Sequence, residues 1–529
     1  MNSILESSEM INLLSLVEEA ARSTKEGIKH FVEPAPGTLH RTTNKRHHII
    51  FGRRGSGKSS LLRKAAVDLT VDRRPIAYVN LETFKGHSYP DVLISILISS
   101  LLEFKNWMDT AAINSATKKT FWKKMFDATP LRASFNRAKS ASLSKNISNH
   151  IAILEAELHR VDDTEMHVIS GTERSENNLK TIEGKVKAPI LSGEGKISSE
   201  SAQSNKKEVE QRYKHSKIDF LHRHILDFQG LFNELSSISG GDSYLFLDDL
   251  YHIRRTDQAP VLDYFHRLAK DHFLWLKVGT LRHRTKWYIP GDPPIGIKLA
   301  EDADEIDLDL TLDKYSLAKS FLTKILTNFA MTAEVGRLDS FLTEGTLDRL
   351  VLASGGVARD FLSIFRKSVD VARERHGGTR GERVGVEDVN MAAGEYDSIK
   401  RDDLKLDTQE DRSPIEEEFQ KIRVFCMDKN NTNCFLLDTE QQNNEVDLIR
   451  ELVDLKLVHL VRSRVTVSGR RGRIFKAYMI DLSQYTGARK RRALQMIEFW
   501  KPVSKELLRK ASLIYTPVVQ EERINKVRS

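Results

Sequence analysis

Between an apolar run and a helix-prone stretch the chain reads Gly52-Arg53-Arg54-Gly55-Ser56-Gly57-Lys58-Ser59-Ser60. Up to Ser59 this fits G-x-x-x-x-G-K-[ST] in full. Residues without a Cβ let successive backbone N–H groups turn inward around a phosphate. Lys58 adds a point charge for the β- and γ-phosphates, the Ser59 hydroxyl can ligate Mg2+, and the following helix presents its positive end. A phosphate cradle of this kind needs a metal partner at the end of a neighbouring strand. The stretch "YLFLDDL" supplies Asp248 and Asp249 at such an end. Asp248 is expected to hold the Mg2+, directly or through water, and Asp249 to orient or deprotonate an attacking water. The plainer reading of the two acids is a strand that simply ends in charge.

The elements that must position these groups are legible from periodicity. The spacing predicts strands at 47–51, "PIAYVNLE", "YLFLDDL", "FLWLKVGT" and "EIDLDLTL", the last with Ile306, Leu308, Leu310 and Leu312 alternating with polar residues. Helices are expected between them at "SSLLRKAAVDLTV", at "PDVLISILISSLLEF" and around Ile218 to Phe232. Strands alternating with helices imply an α/β fold with a parallel sheet. An entry helix is expected at 10–32 on Ile11, Leu14, Val17, Ala20 and Ala21. Residues 106–215 read as an insertion with a helical stripe at Leu143, Ile147, Ile151, Leu154, Leu158 and Val161. Its polar, Gly/Ser-rich second half is expected to be a mobile arm or a hairpin ordered by a partner.

The expected organisation is an N-terminal helix and lead-in at 1–46, and an α/β core at 47–105 and 216–312 around the insertion. After it come a helical unit at 313–398 and a charged linker at 399–413. A helix, strand, helix and two alternating runs at 414–485 have the pattern of a winged helix, and a basic tail follows at 486–529. Within the helical unit a short helix is expected at 386–395.

At 529 residues the chain exceeds one ordinary core. Charged residues make up 29% and no apolar run reaches the ~18 residues of a membrane helix. The start, "MNSILESSEM", has no basic flank of a secretory signal, so a soluble, cytoplasmic protein without membrane contact is expected. Cys426 and Cys434 are the only cysteines, too few for a disulfide framework, and reduced thiols are expected. Lys+Arg 82 against Asp+Glu 74 gives a net charge of +8, which permits nucleic-acid binding without requiring it.

The phosphate loop, the acid pair, "WLKVGT", "ASGGVARDFLSIF", "GVEDVNMAA" and the winged-helix pattern together resemble the initiator branch of AAA+ ATPases, the origin recognition and cell-division-control group, in its prokaryotic relatives. The resemblance covers roughly 45–105 and 240–485 and leaves the insertion unmatched. It implies a P-loop AAA+ core with a helical lid, an inserted arm and a C-terminal winged helix. It also implies ATP with Mg2+ at a subunit or domain junction, Thr280 at the sensor-one position and Arg359 of "GGVAR" as sensor two. Two positions depart from the pattern. Asp249 stands where the family usually has Glu, one methylene shorter, which predicts slow hydrolysis; Thr280 stands where Asn is commonest. Arg282 and Arg284 in "LRHRT" are either an arginine finger reaching a neighbour's nucleotide or acid-paired surface arginines.

Arg462, Arg464, Arg470, Arg471, Arg473 and Lys476 lie on the expected wing and suit a duplex phosphate backbone. The helix before it, "EVDLIRELVDL", is acidic, poor chemistry for a major groove, so sequence-independent contact led by the wing is expected. Two functional classes follow. One is an ATP-hydrolysing switch that couples nucleotide state to double-stranded DNA and an effector partner, in replication, mobile-element or defence settings. The other is a signalling NTPase scaffold that assembles with protein partners, as a homo- or hetero-oligomer, without DNA. No HExxH, clustered Cys/His set or G-x-S-x-G elbow points to a second chemistry.

Overall fold

The computed structural model describes residues 4–20, 30–71, 74–116, 137–160, 215–375, 382–407, 412–441, 444–486 and 494–517. In chain order, α1 (Ser8–Ala20) and α2 (Thr38–Thr43) lead into β1 (His48–Phe51), α3 (Lys58–Val71), β2 (Ile76–Asn80), α4 (Asp91–Ala116) and α5 (Arg137–Leu158). There follow α6 (Ile225–Ser239), β3 (Ser243–Asp248), α7 (Arg255–Ala269), β4 (Leu274–Thr280), the two-residue pair β5 (Tyr288–Ile289) and β6 (Ile295–Gly296), and β7 (Asp304–Asp307). A helical stretch comprises α8 (Tyr315–Thr332), α9 (Leu338–Phe341), α10 (Thr346–Ala353), α11 (Ala358–Glu374) and α12 (Val386–Asp407). The C-terminal part holds α13 (Arg412–Val424), β8 (Cys434–Asp438), α14 (Asn444–Asp454), β9 (Val458–Val465) and β10 (Phe475–Ile480).

The five strands expected from periodicity form one sheet in the order β2-β3-β4-β1-β7. Every pairing in it is parallel. The register sets Phe51 beside both Thr280 and Asp307, and Asn80 beside Asp248, so the carboxyl ends of the strands form one edge. In open α/β sheets that edge is where ligands bind. β1 and β3 are buried at every position because helices cover both faces of the sheet. The last strand is shorter than its alternation suggested: it ends at Asp307, and Leu308 and Leu312 are buried beyond it.

Several expectations change on packing. The buried stripe of α1 is Met10, Leu13, Leu14 and Val17, while Ile11 is 53% exposed. The i, i+3, i+4, i+7 set starting at Met10 makes the more continuous apolar face against α11 and α8; Ala21 lies outside the described residues. Within 106–215, α5 buries Leu143, Ile147, Ile151 and Leu154 against α4 and α6 and so joins the core of the sheet. Val161 and the Gly/Ser-rich half lie outside the described residues. The short helix expected at 386–395 runs on to Asp407 and takes in residues counted as linker. From the expected basic tail, Ile497, Phe499, Leu508, Leu513 and Tyr515 are buried, and the Tyr515 hydroxyl donates to Glu418 at 2.7 Å. The run at 489–492 lies outside the described residues.

β8, β10 and β9 form a three-stranded antiparallel sheet. Cys434 opens β8 and Cys426 lies in the segment before it; both are free and buried, and burial pushes both thiols up. This C-terminal part is docked on the rest through buried charge. Lys400 donates to Asp481 at 2.6 Å, His459 Nε2 lies 2.8 Å from the same carboxylate, and Lys456 donates to Asp360 at 2.9 Å. Burial works against ionisation of Asp481, yet Lys400 and His459 hold it well below the usual carboxylate range. Removing one member of such a buried pair typically costs ~3–5 kcal/mol. Two acids of α14 are spent here as well: Glu451 pairs with Arg255 at 3.2 Å, and Asp454 accepts from the His283 N–H at 2.9 Å. Among the described residues no helix is long and apolar enough to cross a membrane.

Asp454 yields a prediction. Burial, helped by Asp309, pushes its carboxyl up to about 7 against the pull of Arg53 and Lys58. Below about pH 4 the group is protonated in folded and unfolded chains alike. Between there and about 7 the unfolded chain releases its proton first, so stability falls as pH rises and then levels off. Asp454→Asn keeps an acceptor for the His283 N–H and should therefore be more stable than the parent at pH 8, by at most about 4 kcal/mol. The advantage should shrink towards pH 5. Urea unfolding at both pH values measures it; a variant less stable at pH 8 would show that the ionised carboxylate is needed.

Candidate functional site

The segment after β1 closes as a loop into the N-terminus of α3, which begins at Lys58. Gly55 has a φ of +88°, and a Cβ there would sit 2.8 Å from Cβ of Arg359, so only glycine meets both demands. Lys58 is buried within the loop, its ammonium donating to the carbonyls of Gly52 at 2.7 Å and Arg53 at 3.3 Å. Burial lowers its pKa, and Asp249 and Asp248 are the first charges that oppose the shift. Ser56 Oγ is buried without a hydrogen-bond partner among the described residues.

The loop opens on a cavity of about 300 Å3 lined by Arg54, Gly55, Ser56, Gly57, Lys58, Ser59 and Ser60 on one side and by Glu82, Asp249 and His252 on another. Arg359 lines it from the start of α11, where its N–H donates to the Gly55 carbonyl at 3.2 Å. Phe31, Val32, Phe321, Ile325, Phe329 and Leu362 make the apolar wall, and the His30 ring lies 5.2 Å from that of Phe329. A polar end rich in N–H groups and hydroxyls, with an aromatic slot beside it, fits a nucleoside phosphate.

The acid pair divides its work. Asp248 is buried at the end of β3, accepting from the Tyr78 hydroxyl at 2.5 Å and from the Asp249 N–H at 3.0 Å. Burial first, and Asp248 next, push the Tyr78 phenol up, so it stays a donor. The Arg63 guanidinium lies 4.7 Å above its ring. Asp249 breaks from the strand at a φ of 59°, a left-handed conformation uncommon for a residue with a side chain. It lines the cavity, and burial together with Asp248 pushes its carboxyl up to about 6. Ser59 lines the cavity whereas Asp248 adjoins it at the strand end without lining it; both offer hard oxygen donors of the kind that suits Mg2+.

Other expected residues stand elsewhere. Arg53 belongs to the loop by its backbone only. Its guanidinium is buried and reaches away from the cavity, donating to Asp309 at 3.1 Å and to the Gly355 carbonyl at 3.0 Å. Thr280 is fully buried and shares a 2.5 Å hydrogen bond with Thr285; it is not part of the cavity wall. Arg282 is acid-paired, to Glu305 at 3.0 Å and Asp307 at 3.3 Å, with its guanidinium 4.2 Å above the Phe51 ring. Arg284 is half-buried outside the cavity, and its carbonyl accepts from Gln258. Arg470 and Arg471 are exposed in the turn between β9 and β10, Arg464 is exposed on β9, and Arg462 and Lys476 are half-buried. Arg473 pairs with Asp438 at 3.3 Å.

Sequence reasoning missed Tyr78, Glu82 and His252. Tyr78 alternates with buried residues along β2, a pattern equally suited to any strand, so nothing marked it. Glu82 and His252 each lie just past a strand end, and only the parallel pairing of β2 with β3 brings those two ends together.

No family model matches the chain. No curated protein matches it either. Among solved structures the chain is similar to the ORC1 protein of Aeropyrum pernix in complex with DNA, at 14% identity over 90% of this chain and 92% of that one, with a TM-score of 0.30. Likeness at that score identifies no family.

Proposed function

We propose that the chain binds ATP in the cavity above α3 and hydrolyses it slowly, as an AAA+ type switch. The observation that carries this reading is the meeting of the Lys58 loop and the Asp249 carboxylate in one cavity, with Asp248 at the adjoining strand end. The phosphates lie against the loop N–H groups and Lys58 while the base occupies the slot between Phe31 and Phe329. Ser59 and Asp248 would hold Mg2+, which when bound neutralises phosphate charge. Tyr78 keeps the Asp248 carboxylate in place. Asp249, ionised above about pH 6, accepts the proton of the attacking water. Arg359 reaches the same cavity from α11, so closure of the helical lid over the phosphates is the step that nucleotide drives.

The turn between β9 and β10, with Arg470 and Arg471 exposed, is the wing of a winged helix and its duplex contact. Glu451 and Asp454 of α14 are engaged by Arg255 and the His283 N–H, and Asp447 remains an exposed acid paired with Arg450 on the same helix, which leaves the wing rather than that helix to meet a phosphate backbone.

Two measurements test this. Lys58→Ala should weaken ATP binding at least about tenfold, whereas Asp249→Asn should keep binding and lose about a hundredfold in turnover, the lower range for a general base. Unchanged turnover in the asparagine variant would remove Asp249 from the chemistry, and absence of ATP binding in the parent would end the reading. For the wing, Arg471→Glu should lower affinity for a mixed-sequence duplex several-fold, flatten its salt dependence by about one charge and leave ATP affinity alone. No duplex affinity in the parent at low salt would hand the wing to a protein partner.

A further inference from the structure

Glu82, Asp249 and His252 offer one ligand atom each, and the three atoms lie within 4.8 Å of one another at the cavity wall. They come from two short 3-10 turns, Leu81–Phe84 after β2 and Leu250–His252 after β3. The first turn is capped by the Asn80 side chain, which accepts from the Glu82 N–H at 3.0 Å. The second is closed by the His252 N–H, which donates to the Asp249 carbonyl at 3.1 Å. His252 Nε2 is 4.0 Å from Glu82 Oε1, and the His252 side chain is 6% exposed.

We infer that Glu82, Asp249 and His252 form a divalent-cation site of their own, separate from the Ser59 and Asp248 pair. Two carboxylates and one imidazole nitrogen are a mixed oxygen and nitrogen set, which favours Mn2+, Co2+ or Zn2+ over Mg2+. Three ligands at ~2.1 Å from a common ion stand roughly 3.0–3.4 Å apart, so the side chains close by about an ångström. Glu82 is half exposed and supplies that movement without repacking the core. The mutual repulsion of Glu82 and Asp249 is the force a cation relieves. With three positions taken by protein, the remaining ones face the cavity and are open to water or a phosphate oxygen.

The site deepens the nucleotide reading of the same cavity, yet it requires no nucleotide, so the two fail separately. Asp249 is common to both, and the test therefore uses Glu82 and His252. Chelator-treated full-length protein is titrated with Co2+ alone, followed by visible absorption and calorimetry. The parent should bind about one equivalent with bands of a nitrogen and oxygen environment. His252→Gln should weaken Co2+ at least about tenfold and lose the nitrogen signature, Glu82→Gln should weaken it to a similar degree, and Ser59→Ala should leave it unchanged. Circular dichroism and melting confirm that each variant is folded; Glu82→Gln, at an exposed side chain, keeps the test decisive should His252→Gln not fold. No Co2+ binding by the parent, binding that survives both substitutions, or binding lost only in Ser59→Ala would overturn the site.

Discussion

The guanidinium of Arg53, buried beneath the phosphate loop, is the contact through which the other parts of the molecule meet. It neutralises Asp309 in the segment leading from the sheet to the lid, and it donates to the Gly355 carbonyl at the turn before α11. At that turn a Cβ on Gly355 would sit 2.2 Å from the ring of His459, so glycine is what lets the C-terminal part approach. Arg53 thus joins the loop to the turn before α11, and the C-terminal sheet packs on that turn through His459. An arginine suits the post because its planar fork serves a carboxylate and a carbonyl at once and stays charged when buried.

Other buried charges of the molecule are paired as well. Asp309 holds Arg53, and Asp454 comes near both Arg53 and Lys58. Asp481 gathers Lys400 and His459, while Asp360 takes Lys456. Such groups tolerate little independent motion, since parting any pair leaves a charge in an apolar surrounding. The loop before α3 is thus tied directly to the turn before α11 through Arg53 and Gly355.

The acid pair shows how neighbours in sequence acquire different tasks. Asp248 stays in strand geometry and is fastened by Tyr78; Asp249 leaves the strand in a left-handed turn and faces the cavity with its carboxyl raised.

Much was legible from residue order alone. The turn between β1 and α3, the acid pair at a strand end and all five strands of the parallel sheet follow from local spacing, because turn chemistry and the period of two are properties of adjacent residues. So is the stripe of α5. Tertiary structure alone decided which charges are spent inside the molecule. The Arg53 side chain is held by Asp309; of the two readings open for Arg282 the fold takes the acid-paired one, with Glu305 and Asp307; Thr280 shares a hydrogen bond with Thr285; and Glu451 of α14 pairs with Arg255. The tail after Gln495 is folded in by Phe499, Leu508 and Tyr515. Partners far apart along the chain settle these matters, and no local pattern encodes them: a side chain's role depends on what the fold sets within a few ångströms of it, and Glu82 meets His252 only because β2 and β3 end side by side.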